Sequence, residues 1–141
     1  MARSFKELDV WKKGIDLVVA IYKVTETFPG HEAYGLTAQM RRCAISVPSN
    51  IAEGFKRNRN KEFKYFLDIA MGSLAELETQ LIIAEKLELI DKSKCAYNYE
   101  LIDHLMRMAT NLSKSLTQDR ILRSTMHEAR STRKVQPVFN V

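Results

Sequence analysis

The sequence predicts an all-α protein, an antiparallel up-down-up-down four-helix bundle, from three observations. The chain has 141 residues but only five glycines and three prolines, which leaves few positions for the turns between short strands. Apolar residues recur at spacings of three and four over long stretches, the period of an amphipathic helix. Four such stretches follow one another with short connections, as in a bundle of neighbouring helices.

The first helix is predicted from Phe5 to Phe28, before the helix-breaking pair Pro29-Gly30. It carries two apolar rows that lie about 130° apart around the helix axis. The first row is Leu8, Trp11, Ile15, Val18 and Tyr22, and the second is Val10, Leu17, Ile21, Val24 and Phe28. One row is enough to face a small core. The other either widens that core face or packs against a neighbouring subunit, and we expect this helix to help form a subunit interface.

The second helix is predicted from Tyr34 or Leu36 to Lys56. Pro48 lies inside it, removes a backbone N–H and crowds the carbonyl of Ala44, so we expect a kink there. The side chains placed to bond backbone groups that the kink leaves free are Ser46, Ser49 and Asn50.

The third helix has the clearest pattern, an alternation of four- and three-residue steps typical of left-handed bundle packing. This seam consists of Phe63, Leu67, Ala70, Leu74, Leu77, Leu81 and Ala84. Asn58 or Asn60 is predicted to cap the start of the helix, and the helix is predicted to end near Ile90.

The fourth helix is predicted to start near Asp91 or Ser93, either of which can act as an N-cap. Its seam is Ile102, Leu105, Ala109, Leu112 and Leu116. The periodicity fades after Leu116, and from Arg123 the chain has no sustained apolar face. We therefore predict a bundle over residues 1–122 and a basic, flexible C-terminal tail over residues 123–141.

Composition and motifs argue against several classes of protein. The N-terminus lacks the apolar region of a signal peptide, and no apolar run is long enough for a membrane span, so we expect a cytoplasmic protein. Two widely separated cysteines, Cys43 and Cys95, do not form a disulfide framework. The sequence has neither a Gly-rich phosphate loop nor a Glu-x-x-His pair, so we expect no cofactor and no metal.

The candidate binding residues are cations in the segment from Gln39 to Lys64. The chain has 22 Lys and Arg against 17 Asp and Glu, a net charge of +5, which favours a polyanionic partner. We predict phosphate contacts from Arg41, Arg42, Lys56, Arg57, Arg59, Lys61 and Lys64. Tyr65 would add base stacking if it is exposed. The competing interpretation is a solvated turn that keeps the protein soluble.

An enzymatic alternative depends on Arg120 and His127. Some helical ribonucleases of the HEPN type place a histidine four to six residues after an arginine, and six residues separate this pair. The imidazole would act as general acid or base while the arginine stabilises the developing phosphate charge. Ile121 follows the arginine where that family usually has a polar residue, so we expect no enzyme and no catalytic residues.

Several ordered motifs resemble one bacterial family. They are SFKELDVWKKGIDLVVAIYKVTETFP, YGLTAQMRRCAISVPSNIAEG, the run SVPSNIAEGFKR, and KEFKYFLDIAMGSLAELETQLIIAEKL. Together they resemble the 23S ribosomal RNA intervening-sequence proteins from about Ser4 to Leu116. The resemblance implies a four-helix bundle that assembles as a ring-like homopentamer, with a supposed role in RNA binding.

A related protein, the accessory variability determinant of diversity-generating retroelements, is a pentameric barrel whose basic surface engages nucleic acid and a reverse transcriptase. By resemblance, Arg41 and Arg42 fit a binding surface and the SVPSNIAEG segment fits a structural kink. We therefore expect a non-enzymatic, oligomeric protein that binds RNA or DNA. The alternative of another class is a scaffold that recruits a protein partner such as a reverse transcriptase.

Overall fold

The computed structural model describes residues 2–32 and 35–133, and within them it places all side chains except those of residues 119–124, 132 and 133. The long elements are α1 (Asp9–Thr25), α2 (Leu36–Lys56), α3 (Asn60–Lys86) and α4 (Lys92–Arg133). Short 3₁₀ helices cover Phe5–Glu7 and Gly30–Glu32, and the described ranges contain no strand. The all-helical class predicted from the sequence is confirmed.

The four helices pack around one apolar core. In it, α2 contacts α1 and α3, while α4 contacts α3 and α1. The predicted seam of α3 is buried along its whole length, with each of its side chains at most 9% exposed. Each fully buried leucine of this seam contributes about 1.5–3 kcal/mol, so the seam holds α3 between its neighbours.

The two rows of α1 have different surroundings. The second row, which contains Leu17 and Ile21, is buried in the core. The first row divides: Trp11 and Val18 pack at the margin of the core, whereas Ile15 and Tyr22 are exposed. The helix is shorter than the predicted Phe5–Phe28 because the backbone is extended at Leu8, which separates α1 from the preceding 3₁₀ helix.

Pro48 lies against Gly14, at a close contact between α2 and α1. A Cβ added to Gly14 would lie 3.3 Å from the Cβ of Pro48, so the glycine makes room for the proline ring. The α-helix continues through Pro48, and the predicted kink remains a prediction. Asn50 donates to the backbone carbonyl of Ser46 at 2.8 Å, a different carbonyl from that of Ala44, which Pro48 leaves without its N–H donor, and the Ser46 hydroxyl bonds the Ser73 hydroxyl on α3.

The cap predicted for α3 was wrong. Asn58 has a φ of 58°, a left-handed conformation that asparagine tolerates, and it forms the turn itself. Arg59 is the N-cap residue without a side-chain capping bond, and Asn60 is already helical. The helix also ends earlier than Ile90, at Lys86, because Glu88 adopts a φ of 59°.

The cap predicted for α4 is confirmed at Asp91. Its Oδ1 accepts the backbone N–H of Lys94 at 2.9 Å and the Ser93 hydroxyl at 2.7 Å. These bonds favour the carboxylate, and the Lys94 N–H chiefly lowers the pKa of Asp91 below its ordinary value.

The fourth helix continues to Arg133, far past Leu116, where the apolar pattern fades. The helix does not end where the apolar pattern fades, and it continues because no glycine or proline occurs between residues 92 and 133. Residues 125–131 are exposed along this extension. Part of the predicted tail is therefore helical, residues 134–141 lie outside the described residues, and the division into bundle and tail remains a prediction.

Candidate nucleic-acid interface

Five of the predicted cations lie at the connection between α2 and α3, which we call the basic turn. It consists of Lys56, Arg57, Arg59, Lys61 and Lys64. All are exposed except Lys64, which is half-buried. The connection is short because α2 ends at Lys56 and α3 begins at Asn60. Five cations are thereby concentrated at one end of two adjacent helices.

Gly54 allows the two helices beneath the basic turn to lie close together. A Cβ at this position would come within 2.8 Å of the Phe66 Cβ and 3.1 Å of the Phe63 Cδ1. No side chain larger than hydrogen fits without moving α3. The glycine at the end of the SVPSNIAEG segment therefore has a packing role that sequence reasoning did not identify.

Arg57 makes the most contacts of the basic turn. Its Nη2 lies 2.9 Å from Glu53 Oε1, one helical turn earlier, and both side chains are about half exposed. Its guanidinium also lies 5.3 Å from the centroid of the Phe66 ring. Ion pairs this exposed contribute little to stability, so Arg57 remains available to an anionic partner.

The start of α3 also contacts α4. The Asn60 side-chain amide donates to the Leu116 carbonyl at 3.4 Å, and the Lys64 ammonium donates to the Thr117 hydroxyl. Lys61 and Tyr65 line the same inter-helix cleft. The fourth helix thus forms one wall beside the basic turn, a neighbourhood that the sequence pattern did not reveal.

Arg41 and Arg42 lie elsewhere on α2. Arg41 lies fifteen positions before Lys56, which corresponds to about 22 Å along a helix axis. The Arg41 Nε donates to Thr25 Oγ1 at 2.9 Å, and its guanidinium lies 4.4 Å from the centroid of the Tyr22 ring. Its Nη2 lies 3.5 Å from the Tyr22 carbonyl, near the C-terminal end of α1, where a cation is favoured. The structure therefore does not bring all seven predicted cations together.

Arg120 and His127, the pair of the ribonuclease alternative, both lie on α4. His127 is exposed on α4, while the side chain of Arg120 lies outside the described residues. Two positions seven residues apart fall on the same side of a helix. That register is common to any such pair and carries no chemistry by itself.

Both cysteines are buried thiols. Cys43 donates to Glu76 Oε2 at 3.4 Å, and burial raises its pKa. Burial likewise raises the pKa of Cys95. Both thiols are therefore kept protonated and poorly nucleophilic.

Two kinds of feature are absent from the described residues: a cluster of metal ligands and a membrane-spanning helix. Across residues 2–32 and 35–133, no three His, Cys, Asp or Glu side chains come together in a way that could hold a metal ion. None of the helices in this part of the chain is long and apolar enough to cross a bilayer.

Comparison with known proteins gives one family and one fold. The family model for the 23S rRNA-intervening sequence protein matches residues 6–111. The fold is similar to that of a protein of unknown function from the S23 ribosomal protein family of Bacteroides thetaiotaomicron VPI-5482, with a TM-score of 0.69. The two are 19% identical, over 74% of this chain and 95% of the other, a level that shows the fold alone. Among curated proteins, no match was found.

Proposed function

The chain belongs to the 23S rRNA-intervening sequence protein family, and from this premise we propose that it is a non-enzymatic protein that binds RNA through its basic turn. The observation that carries the proposal is the clustering of five cations at one helix connection. Among the described side chains, the ion pair formed by this cluster is that of Arg57 with Glu53. Lys56, Arg59 and Lys61 are exposed and available to phosphates, whereas the Lys64 ammonium is engaged by the Thr117 hydroxyl.

Binding of this kind is governed by counterion release. Each phosphate that a Lys or Arg neutralises releases condensed cations from the nucleic acid, so the logarithm of the binding constant falls linearly with the logarithm of salt concentration. Contacts to phosphate carry no sequence information directly. We therefore expect the basic turn to bind RNA with little sequence preference and with strong salt dependence.

Two double variants test the proposal, and each of them lacks two positive charges. The variant is Arg59→Ala/Lys61→Ala, and the control is Lys86→Ala/Lys92→Ala, which removes equal charge at the α3–α4 connection. Binding of a labelled RNA is followed by fluorescence anisotropy over a series of salt concentrations.

For the basic-turn variant, we expect roughly tenfold weaker binding and a salt slope smaller by about one to two. For the control, we expect affinity close to that of the wild type. Equal losses in both variants would show that net charge matters and the basic turn does not, and no loss in either would overturn the proposal.

We further propose that the helices run up-down-up-down as an antiparallel bundle. Early residues of a helix contact late residues of its neighbour: Gly14 of α1 approaches Pro48 of α2, and Tyr99 of α4 donates to Glu85 of α3 at 2.9 Å. These pairs support the alternating direction that the sequence predicts.

We also propose that the protein self-associates, as the ring-like homopentamer that the family resemblance implies. Apolar side chains remain exposed on adjacent faces of α1 and α2, at 38–47% for Ile15, Val19, Tyr22 and Ile45. Exposed apolar side chains on one side of a helical protein are typical of an interaction surface. The same surface supports the alternative, a scaffold for a protein partner such as a reverse transcriptase.

Light scattering distinguishes these two roles. A subunit interface predicts a wild-type mass of several chains, and Val19→Asp is expected to reduce it to the monomer. A wild-type mass of one chain would rule out self-association and favour the partner scaffold.

A further inference from the structure

A cleft of about 270 Å³ lies between the start of α3 and α4, beside the basic turn. The side chains that matter here are those of Lys61, Lys64, Tyr65, Asp68 and Thr117. The cleft therefore combines two cations, an aromatic ring and one carboxylate. This combination differs from a purely cationic surface, which would serve phosphates alone.

Tyr65 is the aromatic side chain that lines the cleft. The Tyr65 side chain is 61% exposed, whereas the seam of the same helix is buried in the core. It meets Phe66 edge to face, with ring centroids 5.3 Å apart and planes at 79°. Arg57 of the basic turn contacts the Phe66 ring, so the Tyr65 ring lies next to the basic turn.

The charges divide the cleft into two regions. Lys61 is exposed and Lys64 is half-buried, with its ammonium on the Thr117 hydroxyl. Asp68 lies one helical turn beyond Lys64, and its carboxylate repels phosphate from that part of the cleft. The lysines can therefore receive a phosphate, Tyr65 offers a ring face to a base, and Asp68 can accept a hydrogen bond from an exocyclic amino group.

We propose that this cleft binds an unpaired nucleotide of the RNA, with the base stacked on Tyr65 and the phosphate on Lys61. This inference rests on the proposed function and specifies its substrate class as single-stranded rather than duplex RNA. Bases inside an A-form helix are stacked on one another, so an aromatic side chain reaches only unpaired ones. The basic turn supplies affinity, and Tyr65 supplies the preference for single strands.

The experiment compares two substitutions of one residue. Tyr65→Leu keeps an apolar side chain but removes the ring, and Tyr65→Phe keeps the ring. Because the side chain is exposed, both variants are expected to unfold at the wild-type temperature. Anisotropy is measured with a short single-stranded RNA and with the duplex of the same sequence, and stacking is read from quenching of a 2-aminopurine base in the single strand.

The expected result is a loss of roughly tenfold in single-strand affinity for Tyr65→Leu, with the salt slope and duplex affinity unchanged. Tyr65→Phe is expected to remain near the wild type and to quench 2-aminopurine. Equal single-strand affinities for wild type and Tyr65→Leu would overturn this inference, as would wild-type protein that prefers the duplex. Salt-dependent binding that is lost in Arg59→Ala/Lys61→Ala would still support the proposed function in that case.

Discussion

Replacing Gly54 by alanine tests the close packing beneath the basic turn. The new Cβ would lie 2.8 Å from the Phe66 Cβ and 3.3 Å from the Phe63 carbonyl oxygen. Carbon atoms in van der Waals contact are about 3.5–4.0 Å apart, so the first distance is short by about 0.7 Å or more. Neither atom can rotate away, because one is anchored at the backbone and the other belongs to it.

The expected change in the free energy of unfolding is the difference between a packing cost and a gain in helix propensity. Overpacking that shifts backbone costs about 1–3 kcal/mol, and we take the upper end because two helices must separate. Alanine has the higher helix propensity and restores about 1 kcal/mol. No glycine among the described residues has a positive φ, so no conformational penalty is added. We expect the free energy of unfolding to fall by about 2 kcal/mol.

Gly72 provides the matched control on α3. It is exposed within the helix, and a Cβ there would meet nothing within 4 Å. Gly72→Ala is expected to raise the free energy of unfolding by about 0.5–1 kcal/mol. Urea unfolding followed by far-ultraviolet circular dichroism measures both variants. If Gly54→Ala were as stable as Gly72→Ala, the reasoning from close packing would be refuted.

Three other side chains give further predictions. The Lys94 backbone N–H lowers the pKa of Asp91, so this carboxylate stabilises the fold above the pKa of an unfolded aspartate, and the stabilisation is lost as pH falls through the folded pKa. Asp91→Asn should therefore flatten the acid limb of a plot of stability against pH, and an unchanged limb would contradict the cap. Arg41→Ala is expected to lower the free energy of unfolding by about 1 kcal/mol and to weaken RNA binding less than the basic-turn variant, which chemical unfolding and anisotropy would show. Tyr99→Phe removes the hydrogen bond to Glu85 and should cost about 1 kcal/mol in urea unfolding, and wild-type stability would show that water replaces this bond fully.

The periodic part of the fold was predictable from the sequence. The seam of α3, from Phe63 to Ala84, is buried as its spacing predicts, since apolar period alone decides which side of a helix faces the core. The family prediction is also confirmed, by a match over residues 6–111. The identity of the core row of α1 was not predictable, because both rows have the same period.

Features that depend on contacts between distant residues were missed. The role of Gly54 depends on Phe66, which lies on another helix, and the sequence gives no distance between them. Asn60 was predicted to cap its own helix, yet its amide donates to Leu116 on α4. The cations of the candidate site illustrate the same limit: Arg41 is near Lys56 in sequence, but a helix separates them by about 22 Å.

The length of α4 gives this one helix two different thermodynamic characters. Thr117 lies beside the first turn of α3, so the sixteen residues from 118 to 133 extend about 24 Å beyond the helix that α4 packs against. The packed half supplies the costly helix nucleus, and the extension requires only propagation. Residues 125–131 of the extension are exposed, so unwinding of these residues exposes none of the buried core. Amide hydrogen exchange should therefore be governed by global unfolding up to about Thr117 and by local opening in the exposed residues 125–131.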